Sequence, residues 1–103
     1  MHPAISDKRE RLAELCREFG VARLEVFGSA ARGADFDPLT SDADFLVEFD
    51  PRRAPGTLDV YFDFRDALSD ALNRPVDLLE TGAIRNPYLS AAIETSRELV
   101  YES

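Results

Sequence analysis

The residues Val-Phe-Gly-Ser-Ala-Ala-Arg-Gly at positions 26–33 predict a strand that ends in a tight Gly-Ser turn. A second stretch, Ser-Asp-Ala-Asp-Phe-Leu-Val-Glu-Phe at positions 41–49, predicts a strand that carries two carboxylates one residue apart. Side chains alternate between the two faces of a strand, so Asp42 and Asp44 point the same way. Two carboxylates side by side repel each other unless a cation neutralises them, and oxygen ligands suit Mg²⁺. The second stretch therefore predicts a metal site.

The turn at Gly28-Ser29 comes directly before a short predicted helix, which begins at Ser29 and ends by Gly33. The first N–H groups of a helix have no partner within it, and they suit the oxygens of a phosphate group. Ser29 is also a typical helix N-cap, and this role is compatible with phosphate binding because both use the same N–H groups. The turn and the carboxylate strand together predict a site for a metal–nucleotide complex.

A third aspartate, Asp77, lies in Pro-Val-Asp-Leu-Leu at positions 75–79, which predicts another strand. The order Gly-Ser, then Asp-x-Asp, then a later Asp resembles the nucleotidyltransferase superfamily, which includes DNA polymerase β and kanamycin nucleotidyltransferase. The longer patterns Gly-Ser-x-Ala-Arg-Gly and Ser-Asp-x-Asp-Phe-Leu-Val are similar to the minimal nucleotidyltransferase (MNT) branch, whose members are known as antitoxins. The resemblance extends from about position 19 to the C-terminus. One departure is a slightly longer loop between Arg32 and Asp42.

The resemblance implies a nucleotidyltransferase fold and an enzyme that uses ATP as its substrate. It implies that Gly28 and Ser29 bind the β and γ phosphates. It further implies that Asp42, Asp44 and Asp77 bind two Mg²⁺ ions, with Asp77 also assisting deprotonation of the acceptor hydroxyl. For the MNT branch the implied acceptor is a tyrosine of a HEPN-domain toxin, whose ribonuclease activity the added AMP would silence.

Composition limits the classes of partner. The chain of 103 residues has 12 basic and 20 acidic residues and a formal net charge of −8. We expect no long nucleic acid as a partner, because a polynucleotide site needs a basic track. No apolar run is long enough to cross a membrane, so we expect no membrane partner. The lone cysteine, Cys16, excludes an internal disulfide and is typical of a reducing compartment, so we expect a cytoplasmic protein.

The apolar pattern predicts one α/β (α+β) domain over residues 1–103, a small mixed sheet with helices mainly on one face. Helices are predicted over residues 4–19, 29–33, 58–73 and 87–95, and strands over 21–27, 43–49, 75–80 and, at an edge, 98–101. In the third of these helices the predicted apolar stripe consists of Leu58, Tyr61, Phe62, Leu68 and Leu72, and Phe64 is also expected in the core.

Several candidate residues have a second interpretation. Arg32 binds a phosphate or pairs with a nearby acid, and the sequence leaves both roles open. Asp77 is either a third metal ligand or an exposed strand residue. A competing Asp-x-Asp at positions 35–37 precedes Pro38, which indicates a surface turn. Cys16 lies on an apolar helical stripe, which favours a packing role over a nucleophile.

Three functions are consistent with these residues. An enzyme that transfers AMP to a toxin is favoured because the Gly-Ser turn and all three aspartates are present. A binding module that neutralises the toxin by contact is the second. A small-molecule nucleotidyltransferase is the third, and it is disfavoured because larger members of the superfamily carry an acceptor domain that we do not expect here.

Overall fold

The computed structural model of the protein describes residues 3–28, 43–53, 58–80 and 97–103. The helices in these ranges are α1 (Pro3–Ser6), α2 (Arg9–Phe19) and α3 (Leu58–Leu72). The strands are β1 (Val21–Phe27), β2 (Ala43–Phe49), β3 (Val76–Glu80) and β4 (Glu98–Glu102). The predicted helices over residues 29–33 and 87–95 and the predicted loop over 34–40 lie outside the described residues.

The four strands form one mixed sheet in the order β3-β2-β1-β4. Strand β1 pairs antiparallel with both β2 and β4, whereas β2 and β3 run parallel. The connection between the parallel strands includes α3, as a parallel crossover requires. The predicted mixed sheet and the position of its last strand at an edge are both confirmed.

The main core lies between one face of the sheet and the helices. Its fully buried side chains come from every layer, and they include Ile5, Leu12, Leu24, Val26, Phe45, Val47, Phe64 and Leu68. On the opposite face, Phe27 and Leu46 are buried and Leu79 packs against them. The described helices therefore cover one face, as predicted, and the other face carries a smaller apolar cluster beside polar side chains.

The prediction of a single helix over residues 4–19 is wrong, because a turn at Asp7 and Lys8 separates α1 from α2. The Lys8 N–H donates to the Ile5 carbonyl at 3.0 Å, three residues back, and the ladder of α2 resumes when the Leu12 N–H donates to the Lys8 carbonyl. Ser6 and Asp7 favour such local bonds over a regular helix. Both helices remain on the core, since Ile5 and Leu12 are fully buried.

The start of α2 is fastened to the far edge of the sheet. The Arg9 guanidinium donates to the carbonyls of Leu99 at 3.1 Å and Val100 at 3.3 Å, both in β4. This contact joins residues about ninety positions apart, so it fixes the helical layer on the sheet.

The apolar stripe predicted for α3 is partly wrong. Leu68 and Leu72 are buried, but Leu58 is 73% exposed and Phe62 is 42% exposed. Phe64 takes the core position, fully buried, with its ring 5.5 Å from that of Phe19 and 5.8 Å from that of Phe49. At 100° per residue, Phe64, Leu68 and Leu72 share a narrow arc, and Leu58 and Phe62 fall outside it.

Helix α3 is also fixed to the neighbouring strand by its one described tyrosine. The Tyr61 hydroxyl donates to the Leu78 carbonyl of β3. The 15 residues of α3 make it the longest helix described, and within the described ranges none has the length and apolarity needed to span a membrane.

A tight turn follows β2. The Asp50 carboxylate accepts the Arg52 N–H at 2.9 Å and the Arg52 Nε at 3.3 Å, and the Asp50 N–H donates to the Gly20 carbonyl. Two hydrogen bonds from Arg52 hold the pKa of Asp50 below its usual value. The bond from the backbone N–H has the larger effect, and the bond from the side chain has the smaller one. The Arg53 guanidinium donates to the Arg17 carbonyl at 2.8 Å, which attaches the turn to the end of α2.

Cys16 is fully buried in the core, as predicted. Burial raises the pKa of its thiol to about 12, despite the opposing effect of the neighbouring Arg17 charge. The thiolate is the nucleophilic form of cysteine, and a raised pKa disfavours this form of Cys16. The packing role is therefore confirmed for this residue.

Candidate active site

Asp44 and Asp77 lie directly opposite each other on the parallel strands β2 and β3. Residues paired in this way share a face of the sheet, and neighbouring strands are roughly 4.8 Å apart. The residues before and after each aspartate, such as Phe45 and Leu78, point into the main core. Both aspartates therefore lie on the face opposite the helices, on neighbouring strands.

Gly28 joins this pair from the other neighbour of β2. Strand β1 ends at Phe27, which pairs with Asp44, and Gly28 follows with a φ of +70°. A Cβ at this position would lie 2.6 Å from Asp44 Oδ2, closer than side chains pack. Glycine is thus required twice here, for its left-handed backbone and for its missing side chain. The backbone at the end of β1 therefore lies close to the Asp44 carboxylate.

The geometry fits a hard cation. Asp44 is half-buried and Asp77 is exposed, and two accessible carboxylates on one face of neighbouring strands are the type of ligand that such a cation takes. No group of three metal-binding side chains occurs among the residues that the structure describes. The third predicted ligand, Asp42, lies outside them, as do Ser29 and Arg32. Their roles stay predictions.

Sequence reasoning missed a buried charge cluster on the same face of the sheet. Glu25, two residues before Phe27 in β1, is 5% exposed. Its carboxylate accepts the Arg23 Nε at 2.8 Å and the Arg97 Nε at 3.1 Å. Arg23 also pairs with Glu102 of β4 at 2.5 Å. The cluster links β1 to β4 behind the Gly28 turn.

The contacts with Glu25 stabilise the cationic form of Arg23. The hydrogen bond and the charge of Glu25 raise the pKa of Arg23 above the usual arginine value. The signal in the sequence was a lone acid between Leu24 and Val26 in a strand with few polar residues. Such a buried carboxylate needs cationic partners. Arg23, two residues away on the same face of β1, can be expected from the local sequence, whereas Arg97 cannot.

A family model for the nucleotidyltransferase domain matches residues 8–100 of the chain. The chain belongs to the nucleotidyltransferase family. A relative from Methanocaldococcus jannaschii, provisionally named a protein adenylyltransferase, is 40% identical over 87 residues. The match covers 84% of this nucleotidyltransferase and 82% of the relative.

Two solved structures are similar to this nucleotidyltransferase. One, provisionally named a minimal nucleotidyltransferase, superimposes with a TM-score of 0.73 at 30% identity and covers 95% of each chain. The other is a chain from the complex of a tri-AMPylated Shewanella oneidensis HEPN toxin with its MNT antitoxin. It superimposes with a TM-score of 0.62 at 16% identity, covering 95% of this chain and 72% of the other. The second likeness shows the fold alone.

These findings confirm the resemblance to minimal nucleotidyltransferases, the fold class and the prediction of a nucleotidyltransferase enzyme. The structure brings together Gly28, Asp44 and Asp77 from three strands that are adjacent in the sheet. Their catalytic and binding roles remain predictions, and they form the basis of the proposal that follows.

Proposed function

We propose that this chain is a Mg²⁺-dependent protein adenylyltransferase and an antitoxin. It transfers AMP from ATP to a tyrosine hydroxyl of a HEPN-domain toxin and so silences the toxin. The observation that carries the proposal is the register of Asp44 and Asp77, with the backbone of Gly28 against the first of them. We place the reaction in the cytoplasm, where ATP is available.

In this proposal Asp42, Asp44 and Asp77 hold two Mg²⁺ ions. The ions supply charge neutralisation at the triphosphate and lower the pKa of the attacking hydroxyl. The protein contributes the rigid placement of the ligands. Asp44 lies in a central strand, between β1 and β3, and the residues on either side of it, Ala43 and Phe45, are fully buried. Such packing leaves the carboxylate little freedom to move away from a ligand.

Gly28 and Ser29 bind the β and γ phosphates through backbone N–H groups, and Arg32 is a further phosphate contact in the proposal. A turn that exposes successive N–H groups is a general anion site. The glycine serves this purpose because a side chain at position 28 would occupy the space beside Asp44. The phosphate-binding and carboxylate groups are thereby kept next to each other.

The reaction is a substitution at the α-phosphorus of ATP. The tyrosine oxygen forms a bond to the α-phosphorus, and the bond from that phosphorus to the bridging oxygen breaks. Pyrophosphate leaves with the electron pair, and the hydroxyl proton passes to Asp77. The exposure of Asp77 supports this role, because the hydroxyl of a large acceptor must reach it.

The choice of acceptor is supported by the relatives. One of them is named for protein adenylyl transfer, and a structure with this fold contains an AMPylated HEPN toxin beside its antitoxin. The net charge of −8 is consistent with a basic protein partner and gives attraction over distance. A polynucleotide would be repelled.

The test is co-expression with a HEPN-domain toxin. Mass spectrometry of the toxin should show one or more additions of an AMP mass, absent when Asp42 and Asp44 are both changed to Asn. An unmodified toxin that the double variant still neutralises would support the contact-only antitoxin. An absence of any interaction would favour a small-molecule acceptor.

A further inference from the structure

Two apolar side chains stand exposed on α3. Leu58 and Phe62 are the exposed large hydrophobic residues in the part of the chain that the structure describes. They are four residues apart and therefore lie on the same side of the helix. Tyr61 packs edge-on against Phe62, with ring centroids 5.1 Å apart. Together these residues form a continuous apolar surface.

This surface continues into a groove of about 310 Å³ between α3 and β3. The groove is lined by Leu58, Tyr61, Leu78, Leu79 and Glu80. The hydrogen bond from Tyr61 to the Leu78 carbonyl joins its two walls. The groove is consequently a formed feature of the fold, and we call it, with Phe62 at its rim, the α3–β3 groove.

The α3–β3 groove adjoins the candidate active site. Leu79 lines the groove, and it follows Asp77 by two residues in β3. Residues two apart in a strand share a face and are separated by roughly 6.6 Å. A protein segment that fills the groove would therefore place neighbouring groups beside the Asp77 carboxylate.

Acidic side chains lie beside Phe62 on α3 and at the end of β3. Asp59, Asp63 and Asp66 are exposed along the next row of α3, and Glu80 is exposed on β3. One cation lies among them: the Arg65 guanidinium sits 5.0 Å from the Phe62 ring centroid and 3.6 Å from Asp66. The described charges thus leave a clear negative excess around an apolar centre.

We propose that the α3–β3 groove docks a basic amphipathic segment of the protein that accepts AMP. This inference rests on the proposed function and adds where the acceptor binds. An apolar centre within a charged rim is the usual arrangement of a protein interface. A partner with apolar side chains flanked by lysine or arginine complements both parts of this surface. A second copy of this chain would bring the same acids against each other.

The main test changes Leu58 and Phe62 together to Ser. Both side chains are exposed, so the fold and the Mg²⁺–ATP affinity should be retained. Binding of the HEPN-domain protein that the wild type modifies, measured by calorimetry, should weaken by at least about tenfold, as for loss of a central apolar contact. AMP transfer to that protein should fall in kcat/KM by a similar factor.

A second pair of variants tests the charged rim. Asp63→Asn with Glu80→Gln should slow association with the HEPN protein and reduce its dependence on salt. The matched control is Asp7→Asn with Glu18→Gln, which removes the same charge from exposed positions near and on α2. The control should bind faster than the rim variant.

The outcomes separate this inference from the proposed function. If the wild type binds and modifies the HEPN protein and the Leu58/Phe62 variant does so equally well, the docking site is overturned and the function stands. If the wild type neither binds nor modifies it, both fail. If sedimentation shows a wild-type dimer that the apolar variant abolishes, the groove is a self-association surface instead.

Discussion

The backbone of Gly28 lies so close to Asp44 that a Cβ at position 28 would be 2.6 Å from Asp44 Oδ2. This close approach couples the end of β1 to β2 at the candidate site. A change at Gly28 must displace either the backbone or the carboxylate. The consequence is that the Gly28 turn and the Asp44 carboxylate cannot move independently.

The first prediction follows from this contact. Gly28→Ala should abolish detectable AMP transfer, because the new methyl group displaces Asp44, and should also cost about 1–2 kcal/mol for the left-handed backbone. Gly20→Ala is a matched control, since Gly20 has a φ of +71° at the other end of β1. Urea unfolding should show a similar backbone cost for both variants. Only Gly28→Ala should lose Mg²⁺-dependent ATP binding, and equal losses in both would contradict the contact argument.

The second prediction concerns the metal. Calorimetry should show that the wild type binds ATP only with Mg²⁺ or Mn²⁺ present. Changing Asp42 and Asp44 together to Asn should remove this dependence, because amides are weaker ligands for a hard cation than carboxylates. Equal ATP affinity of the wild type with and without metal would overturn the two-metal proposal.

The third prediction separates a catalytic role of Asp77 from a structural one. Asp77 is exposed, so Asp77→Asn should leave the melting temperature within a few degrees of the wild type. Transfer of AMP should fall by orders of magnitude, as expected when a carboxylate that holds metal and accepts a proton is lost. Glu18→Gln, an exposed carboxylate on α2, is the control for charge. A variant at Asp77 with wild-type turnover would remove this residue from the site.

The fourth prediction is a dependence of stability on pH. The pKa of Asp50 is lower in the folded state than in the unfolded chain, chiefly through the Arg52 N–H. Its stabilising contribution is therefore complete above the unfolded pKa and is lost as the pH falls through the folded pKa. Asp50→Asn keeps the turn acceptor but removes the charge. It should lower the denaturation midpoint at pH 7.

The test measures, as a function of pH, the difference in denaturation midpoint between the wild type and Asp50→Asn. That difference should be largest at pH 7 and should shrink progressively once the pH falls below about 4, near the usual aspartate pKa. Asp63→Asn controls for the loss of one exposed negative charge. A difference that stays constant down to pH 2 would show that the Asp50 charge has no part in stability.

The sequence predicts those features that depend on short-range patterns. The bounds of β1 and β2 follow from apolar alternation, and they match the structure. The meeting of Asp44 with Asp77 could be expected because both precede apolar strand residues that face the core. Gly28 could be expected beside them because the Gly-Ser turn belongs to a known motif.

Other features depend on contacts between distant residues. Arg97 pairs with Glu25 across the sheet, and nothing in the local sequence of either residue identifies the other. The choice between Phe62 and Phe64 as the core residue of α3 depends on the rotation of the helix, which only packing against Phe19 and Phe49 determines. The break at Asp7 likewise reflects a competition between local hydrogen bonds that a periodic pattern does not record.

The contacts of Arg9 and Tyr61 have a consequence for self-assembly. Strands β3 and β4 are the outer strands among those that the structure describes, and an outer strand offers backbone groups to which a foreign strand can add. Tyr61 binds a carbonyl of β3, and Arg9 binds two carbonyls of β4. Each contact occupies a backbone acceptor of an outer strand. Changing both residues to Ala should therefore shorten the lag time of fibril formation, measured by thioflavin fluorescence, even under conditions in which the protein remains folded.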